Sequence, residues 1–370
     1  LYLEKLLRND SSLKIFLHAY LSFFIWNSIA TWWLVYSTFF GMAFAIIVNS
    51  LLMALVFTSY SLISKKVSKK LSIIYWVSSW IVFEKFHLFW DFSWPWLNLG
   101  NVFSENILWI QWYEYTGSFG GTLWVLLVNY LFLLVYYNYI KTKKIDIIRI
   151  SFSILTISIP IIISLFIYTF QENDREYLNV SILQPNIDSY SEKYGRTNIS
   201  ILQDFKSLVN SFGESSDIIV APETYFSESP GFLINKFKES AFLLSLNNYL
   251  NNNNTQLLSG VQFYELYNSS SEKSETSNYI KDSLWIDVYN SSFLISSNQN
   301  PQIYHKSKLV VGIENMPYKN ILEPLLGNAL LDMGGTIISR GTQPNRGVFE
   351  LDNGVKIAPI ICYESIYGEY

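Results

Sequence analysis

With 370 residues, half of them hydrophobic and only 15% charged, the chain falls well below the roughly 25% charge of a soluble domain. Aromatic residues make up 17%, including 12 Trp, and the combination points to membrane contact for part of the chain. A formal net charge of -4 excludes a basic footprint for nucleic acid, the single cysteine excludes an internal disulfide, and three histidines (His18, His87, His305) leave almost no room for a multi-histidine metal site.

The chain opens on Leu1, without a signal-peptide pattern. From there to residue 170, five apolar stretches are long enough to cross a bilayer as helix, which takes about 20 residues. They cover approximately 14–36, 39–63, 71–90, 120–140 and 150–169. Five such runs in succession, parted by short polar breaks, do not suit the buried helices of a soluble core. Lys and Arg gather before the first span (Lys5, Arg8, Lys14), between the second and third (SKKVSKK) and between the fourth and fifth (KTKKIDIIR). The link between the first two spans has none, and neither does 91–119. By the positive-inside rule the basic loops are cytoplasmic, so the chain is expected to leave the fifth span on the extracytoplasmic face. Residues 91–119 then share that face, with Trp94, Trp96, Trp109 and Trp112 suited to the interfacial belt. Glu84, Lys85 and His87 sit toward the outer end of the third span, where charge meets the interface cheaply, which argues against a transporter or scaffold.

From residue 177 the pattern changes to short β-rich runs between polar turns: YLNVSILQPN, SDIIVAPETYF, QLLSGVQFYE, YNSSFLIS, QIYHKSKLV and GVKIAPIICYES. A helical apolar rhythm occupies 231–250 and, more weakly, 192–212, while 266–283 and 297–301 read as loops. Strands alternating with helices predict an α/β domain, a sheet covered by helices. The apolar segment 316–335 suits either an arm dipping toward lipid, with Gly334 and Gly335 permitting movement, or an amphipathic helix on the sheet.

Reactive residues cluster at strand ends, where open α/β sheets build their sites. IIVAPETYF ends in Pro222 and Glu223; IYHKSKLVVGIENMPY carries His305, Lys306 and Lys308 with Glu314 beyond; KIAPIICYES delivers Cys362, then Tyr363 and Glu364. A cysteine needs a partner to act as a nucleophile. Glu223 can take its proton if burial raises the carboxyl pKa, and Lys306 with the Tyr363 N–H can meet a developing oxyanion. Glu314 can hold the lysine, and Glu364 can do similar orienting work. His305 is a competing base, although strand alternation puts it and Lys306 on opposite faces. Taken singly, each has a plain alternative: a lone apolar-strand Cys is more often an inert buried side chain, and the Glu and Lys are ordinary surface residues.

In combination, the order Glu223, Lys306, Cys362 within APET, YHK and CYES resembles the nitrilase (carbon–nitrogen hydrolase) superfamily. The membrane spans in front of it resemble the apolipoprotein N-acyltransferase branch, as do QPN at 184–186, GIENMPY around Glu314, LLDMGG at 330–335 and FSWPWLNLGN at 92–101. The resemblance implies a helical membrane domain over 1–170 and an α-β-β-α sandwich over 177–370, lying in the bacterial cytoplasmic (inner) membrane with the catalytic domain on the periplasmic side. It implies Glu223 as general base, Lys306 as oxyanion lysine, Cys362 as nucleophile and Glu314 as a second essential carboxylate, with Tyr363 and Glu364 matching the pair after the nucleophile. A phospholipid acyl donor and diacylglyceryl-modified apolipoproteins are the implied partners; no cofactor, metal or nucleic acid is expected, and a monomer suffices. The family's tryptophan after QPN is missing, with Tyr190 or Tyr194 as substitutes. By the same resemblance the chain reads as a piece of a longer protein, lacking both ends and so not expected to be active alone. The competing enzyme class is a membrane-tethered amidase acting on a small soluble amide, disfavoured by the apolar arm and the tryptophan-rich loop.

Overall fold

The first three helices begin where a hydroxyl can satisfy the free N–H groups of a first turn. Ser11, Thr38 and Ser68 accept from the backbone N–H of Lys14, Gly41 and Leu71, capping α1 (Ser12–Thr31), α2 (Phe39–Ser64) and α3 (Lys69–Phe86). Helix α4 (Tyr113–Thr142) is broken at Gly117, whose φ of 65° no L side chain adopts readily. Before α5 (Ile147–Phe170), Asp146 accepts from the Arg149 N–H at 3.0 Å. The computed structural model describes residues 11–170, 177–188, 192–211, 216–296, 300–332 and 338–368, without the side chains of 326–332. Lys5, Arg8, Tyr190, Gly334 and Gly335 therefore lie outside the described residues.

Four of the helical stretches, Ser12–Tyr36, Phe39–Ser64, Tyr113–Thr142 and Ile147–Phe170, are long and apolar enough to cross a membrane. Helix α3, where a span was expected over 71–90, is not: it ends at Phe86 and carries Lys69, Lys70, Glu84 and Lys85 within 18 residues. Between α1 and α2, the buried Asn49 side-chain amide donates to Asn27 Oδ1 at 2.7 Å, a polar tie of the kind that holds helices together in lipid. Glu84 corrects the expectation of cheap interfacial exposure, for it is 1% exposed. Its carboxylate accepts from Trp80 Nε1 (3.1 Å), the Leu99 N–H (2.7 Å) and Thr122 Oγ1 (2.5 Å), so it fastens the Pro-Trp loop to α3 and α4. Thr122 Oγ1 in turn accepts from the Gly100 N–H at 3.0 Å.

Contact density divides the chain into two units, Leu1–Asn173 with Leu326–Gly335 and Ile366–Glu369 in one, and Asp174–Leu325 with Thr336–Ser365 in the other. Among the described residues, the second unit is built on a seven-stranded mixed sheet. Strands β1 (Val180–Ile182), β2 (Ile218–Val220) and β4 (Gln256–Tyr267) run parallel; β6 (Leu284–Ile295) pairs antiparallel with β4, and β7 (Gln302–His305) antiparallel with β6. Short β3 (Phe232–Leu233) adds to β4, and β5 (Asn278–Lys281) to β6. Strand β5 lies within the stretch expected to be loop: the Ser/Asn/Glu/Lys-rich residues around it hid a four-residue edge strand.

Alternation along the strands feeds two cores. Ile219, Leu257 and Phe293 join Phe205 of α6 (Asn198–Asn210), Phe237 of α7 (Ile234–Phe237) and Leu246 of α8 (Ala241–Asn252) in an apolar cluster. Their neighbours Ile218 and Leu294, with Tyr304, pack instead against Phe349, Leu351 and Ile361. That second cluster contains the hairpin β8 (Phe349–Glu350) and β9 (Lys356–Ile357). Residues 231–250, expected as one helix, are β3, α7 and α8, because Ser240 caps a new start at Leu243 N–H. Segment 319–332 forms helix α9 (Lys319–Asp332).

Candidate active site

Glu223 stands two residues past the point where β2 stops following β4. The Ala221 N–H still bonds the Leu258 carbonyl at 2.8 Å; the chain then turns through Pro222 and Glu223 to Thr224, whose φ is 46°. Gly260 of β4 lies directly beneath this turn, its N–H bonded to the Pro222 carbonyl at 3.2 Å. Only a residue without Cβ fits there, since a Cβ would sit 2.4 Å from Pro222 O.

Lys306 comes one residue after β7, and its N–H donates to the Asn290 carbonyl at 2.8 Å. The side chain has no exposed surface, and a buried ammonium requires paired charge. Its Nζ donates to Glu314 Oε2 at 2.9 Å and to Glu223 Oε1 at 3.1 Å. Asn290 of β6 bridges the same two carboxylates through Nδ2, at 2.6 Å from Glu223 Oε1 and 3.0 Å from Glu314 Oε1. The Val310 N–H adds a bond to Glu314 Oε2 at 2.9 Å. Burial alone would lower the Lys306 pKa, but Glu314 and Glu223 outweigh it and the value is raised. Burial likewise opposes ionisation of Glu314, yet Lys306 and the bonds from Val310 and Asn290 hold it below the usual carboxylate range. The Glu223 side chain retains 33% of its surface, so it is the carboxylate of the pair that a substrate can reach; Glu314, at 12%, is the one that holds the lysine.

Cys362 is exposed and sits in the left-handed region with φ of 49°, opening a 3-10 turn over Cys362–Ile366. It was expected at the end of a strand; β9 in fact stops at Ile357. A non-glycine residue held in this conformation costs roughly 1–3 kcal/mol and persists where its surroundings fix it. Glu364 does the fixing: fully buried, it accepts from Tyr304 OH (2.6 Å), the Ser307 N–H (2.6 Å) and the Ile361 N–H (2.8 Å). Glu364 thus ties the cysteine turn to the segment carrying Lys306. Tyr363 is buried, and its backbone N–H reaches the Cys362 sulfur. Burial, with the charges of Glu223 and Glu314, pushes the Cys362 thiol up, against the pull of Lys306 and the Tyr363 N–H. The thiol form is thereby favoured, in the field of the Glu223 and Glu314 carboxylates.

His305 faces away from this group, as alternation requires. Its Nδ1 pairs with Ser291 Oγ at 2.7 Å, its ring stacks on Tyr289, and burial lowers its pKa to about 4. The structure thus brings together Glu223, Lys306, Glu314 and Cys362, with Tyr363 and Glu364 shaping the cysteine turn. Sequence reasoning missed Asn290, for which the available signal was an amide inside the β-rich run YNSSFLIS. It also missed Lys193, whose Nζ donates to the Glu223 carbonyl at 3.3 Å, and Arg340, whose N–H donates to the Glu314 carbonyl at 3.0 Å. Tyr194, one of the two candidates for the absent tryptophan, is exposed, with the Lys193 ammonium 5.9 Å from its ring centre. Among the described residues, no group of three or more His, Cys, Asp or Glu side chains could hold a metal ion.

Over residues 1–131 the chain matches the family described as the apolipoprotein N-acyltransferase N-terminal domain. It is 26% identical over 360 residues to the apolipoprotein N-acyltransferase of Chlorobaculum tepidum, an alignment covering 95% of this chain and 66% of that relative. The chain thus spans just under two thirds of the relative's length.

Proposed function

We propose that this chain, whose residues 1–131 match the apolipoprotein N-acyltransferase N-terminal domain family, belongs to an enzyme that moves an acyl chain from a phospholipid to the N-terminal amine of a diacylglyceryl-cysteine. The observation that carries the reading is the pairing of Glu223 and Glu314 on the buried Lys306 ammonium beside an exposed cysteine. Such a group can take a thiol proton and hold an oxyanion without a cofactor.

In the first step the Glu223 carboxylate removes the Cys362 proton as sulfur attacks the ester carbonyl. The carbonyl oxygen becomes an oxyanion facing Lys306 Nζ and the Tyr363 N–H. Collapse breaks the ester C–O bond, the departing glycerol oxygen takes the proton from Glu223, and a thioester remains on Cys362. The neutral amine of the second substrate then attacks the thioester and gives a proton to Glu223. Collapse expels the sulfur, which recovers that proton, and the product is an amide. One product leaves before the second substrate enters, so the kinetics are ping-pong.

The chain is a membrane protein, with four helices long and apolar enough to cross a bilayer. With α3 crossing as well, the basic residues before α1, between α2 and α3 and between α4 and α5 all fall on the cytoplasmic face, so the chain leaves α5 at Phe170 on the outer face. In a bacterium this is the periplasmic side of the inner membrane, where exported lipoproteins arrive. The test is the fate of the thioester. Protein acylated with labelled phospholipid is mixed with a diacylglyceryl-cysteine peptide, and N-acyl peptide is measured against free fatty acid. Rapid transfer to the peptide amine is expected; discharge to water alone would replace acyl transfer with hydrolysis.

A further inference from the structure

The reacting group has an electrostatic difficulty with an anionic donor. Two carboxylates, Glu223 and Glu314, face one ammonium, Lys306, so the group carries a formal charge of about -1 and repels a phosphodiester. Lys306 is fully buried, two of its three N–H donors are committed to the carboxylates, and the third is assigned to the oxyanion, so none is left for a phosphate. Two further cations stand on the same carboxylate-bearing segments. Lys193 Nζ rests on the backbone carbonyl of Glu223 at 3.3 Å. Arg340 is pinned by its own N–H to the Glu314 carbonyl at 3.0 Å, and its Nη1 donates to Gln262 Oε1 at 3.1 Å. Gln262 is buried on β4 and fixed in turn by its Nε2, which donates to the Pro230 carbonyl at 3.0 Å.

Both cations are half-buried, and both are held by neutral oxygens. Among the described residues, the ion pairs of the catalytic unit belong to Arg196 and Lys306, and neither Lys193 nor Arg340 takes part in one. A desolvated cation without a counter-ion is costly, and a guanidinium with most of its donors unused is shaped for phosphate oxygens. Burial lowers the Lys193 pKa; the charges of Arg340 and Lys306 act in the same direction, against Glu223 and Cys362. A bound anion would relieve that repulsion.

We propose that Lys193 and Arg340 form the binding site for the phosphate of the donor lipid, holding its phosphodiester beside Cys362 while the acyl ester reaches the sulfur. The proposal rests on the phospholipid-donor reading above and names the part of the donor that the chain recognises. With both cations counted, the formal charge of the group changes from about -1 to about +1.

The test needs no turnover. Protein in neutral detergent is alkylated at Cys362 with iodoacetamide, and protection is titrated with glycerophosphoethanolamine, a phosphodiester headgroup without acyl chains. Each variant is compared with its own unprotected rate, because loss of a nearby cation also changes thiol reactivity. Lys193→Met and Arg340→Met are each expected to weaken protection by about tenfold or more, the scale of a lost charge-assisted hydrogen bond. Lys193→Arg, which keeps the charge, should retain protection within about threefold and guards against a folding artefact. Protection unchanged in both Met variants would overturn the proposal, as would equal loss in Lys193→Arg. Inorganic phosphate is titrated alongside: weaker protection than by the diester supports a lipid headgroup, and stronger protection overturns that assignment. A phospholipid-derived acyl adduct without diester protection would remove the anion site and leave the acyl-transfer reading intact; protection without an adduct would do the reverse.

Discussion

Replacing Gly260 by alanine should disable the site from beneath. The new Cβ would lie 2.3 Å from the Thr224 nitrogen, 2.4 Å from the Pro222 oxygen and 2.7 Å from the Glu223 carbonyl carbon, all backbone atoms. Ordinary contact begins near 3.4 Å, so the Pro222–Thr224 turn must retreat by about 1 Å. It cannot do so freely, because Ala221 and Phe226 on either side are bonded to Leu258 and Gly260 of β4. The displacement therefore falls on Glu223 and on its bonds to Lys306 and Asn290. A misplacement of about 1 Å in a reacting constellation costs on the order of 100-fold in rate, and the overpacking itself costs about 1–3 kcal/mol of stability. The assay is acylation of Cys362 by labelled phospholipid, followed by intact mass, with iodoacetamide alkylation as the control that the thiol remains accessible. The expected result is acylation slowed by about 100-fold while alkylation proceeds. Acylation within threefold of the wild type would show that the turn does not position Glu223.

Three further outcomes are expected. Asn290→Leu removes one donor from each carboxylate in a side chain of similar size; acylation should fall by about 10- to 100-fold, the scale of charge-assisted bonds, with the unfolding transition retained. Glu84→Leu orphans the Leu99 N–H and Trp80 Nε1 in the membrane unit at about 1–3 kcal/mol each, so thermal unfolding in detergent, followed by tryptophan fluorescence, should move down while Glu84→Gln moves less. The pH dependence of catalytic-unit stability has a sign on each side. Glu314, with its pKa lowered by Lys306, contributes above the ordinary carboxylate range, and that contribution is lost as pH falls through its lowered value. Lys306, with its pKa raised by Glu314 and Glu223, contributes fully below the ordinary lysine range and loses its contribution as pH rises through the raised value. Denaturant unfolding across pH should show a plateau between those limits, and Glu314→Gln should flatten the acid side.

Chain order and strand ends made Glu223, Lys306, Glu314 and Cys362 visible, although only Glu223 and Lys306 closely follow strands (β2 and β7), while Glu314 lies in a turn and Cys362 opens one. What pattern could not supply was the detail of their presentation. Cys362 is set not by a strand but by a left-handed turn, which depends on Glu364 bonding two donors from the distant segment 304–307 and one from Ile361 beside it. Asn290 was hidden because its neighbours Tyr289, Ser291 and Ser292 say nothing of the two carboxylates that meet it. Lys193 and Arg340 drew no notice because nothing nearby in sequence shows which carbonyls they rest upon. In the membrane half, apolar length predicted the helices well but misjudged Glu84, whose burial follows from a loop folding back onto it. Strand β5 escaped because its four residues, NYIK, are too few to show strand alternation inside a Ser/Asn/Glu/Lys-rich stretch.

The central claim is that Cys362 carries the acyl group between two lipid substrates. The direct measurement is the intact mass of the protein after incubation with phospholipid bearing a labelled acyl chain, beside Cys362→Ser. The account predicts one acyl mass on the wild type, released by hydroxylamine as a thioester is, and none on the variant. No adduct on the wild type, or one that persists in Cys362→Ser, would contradict it.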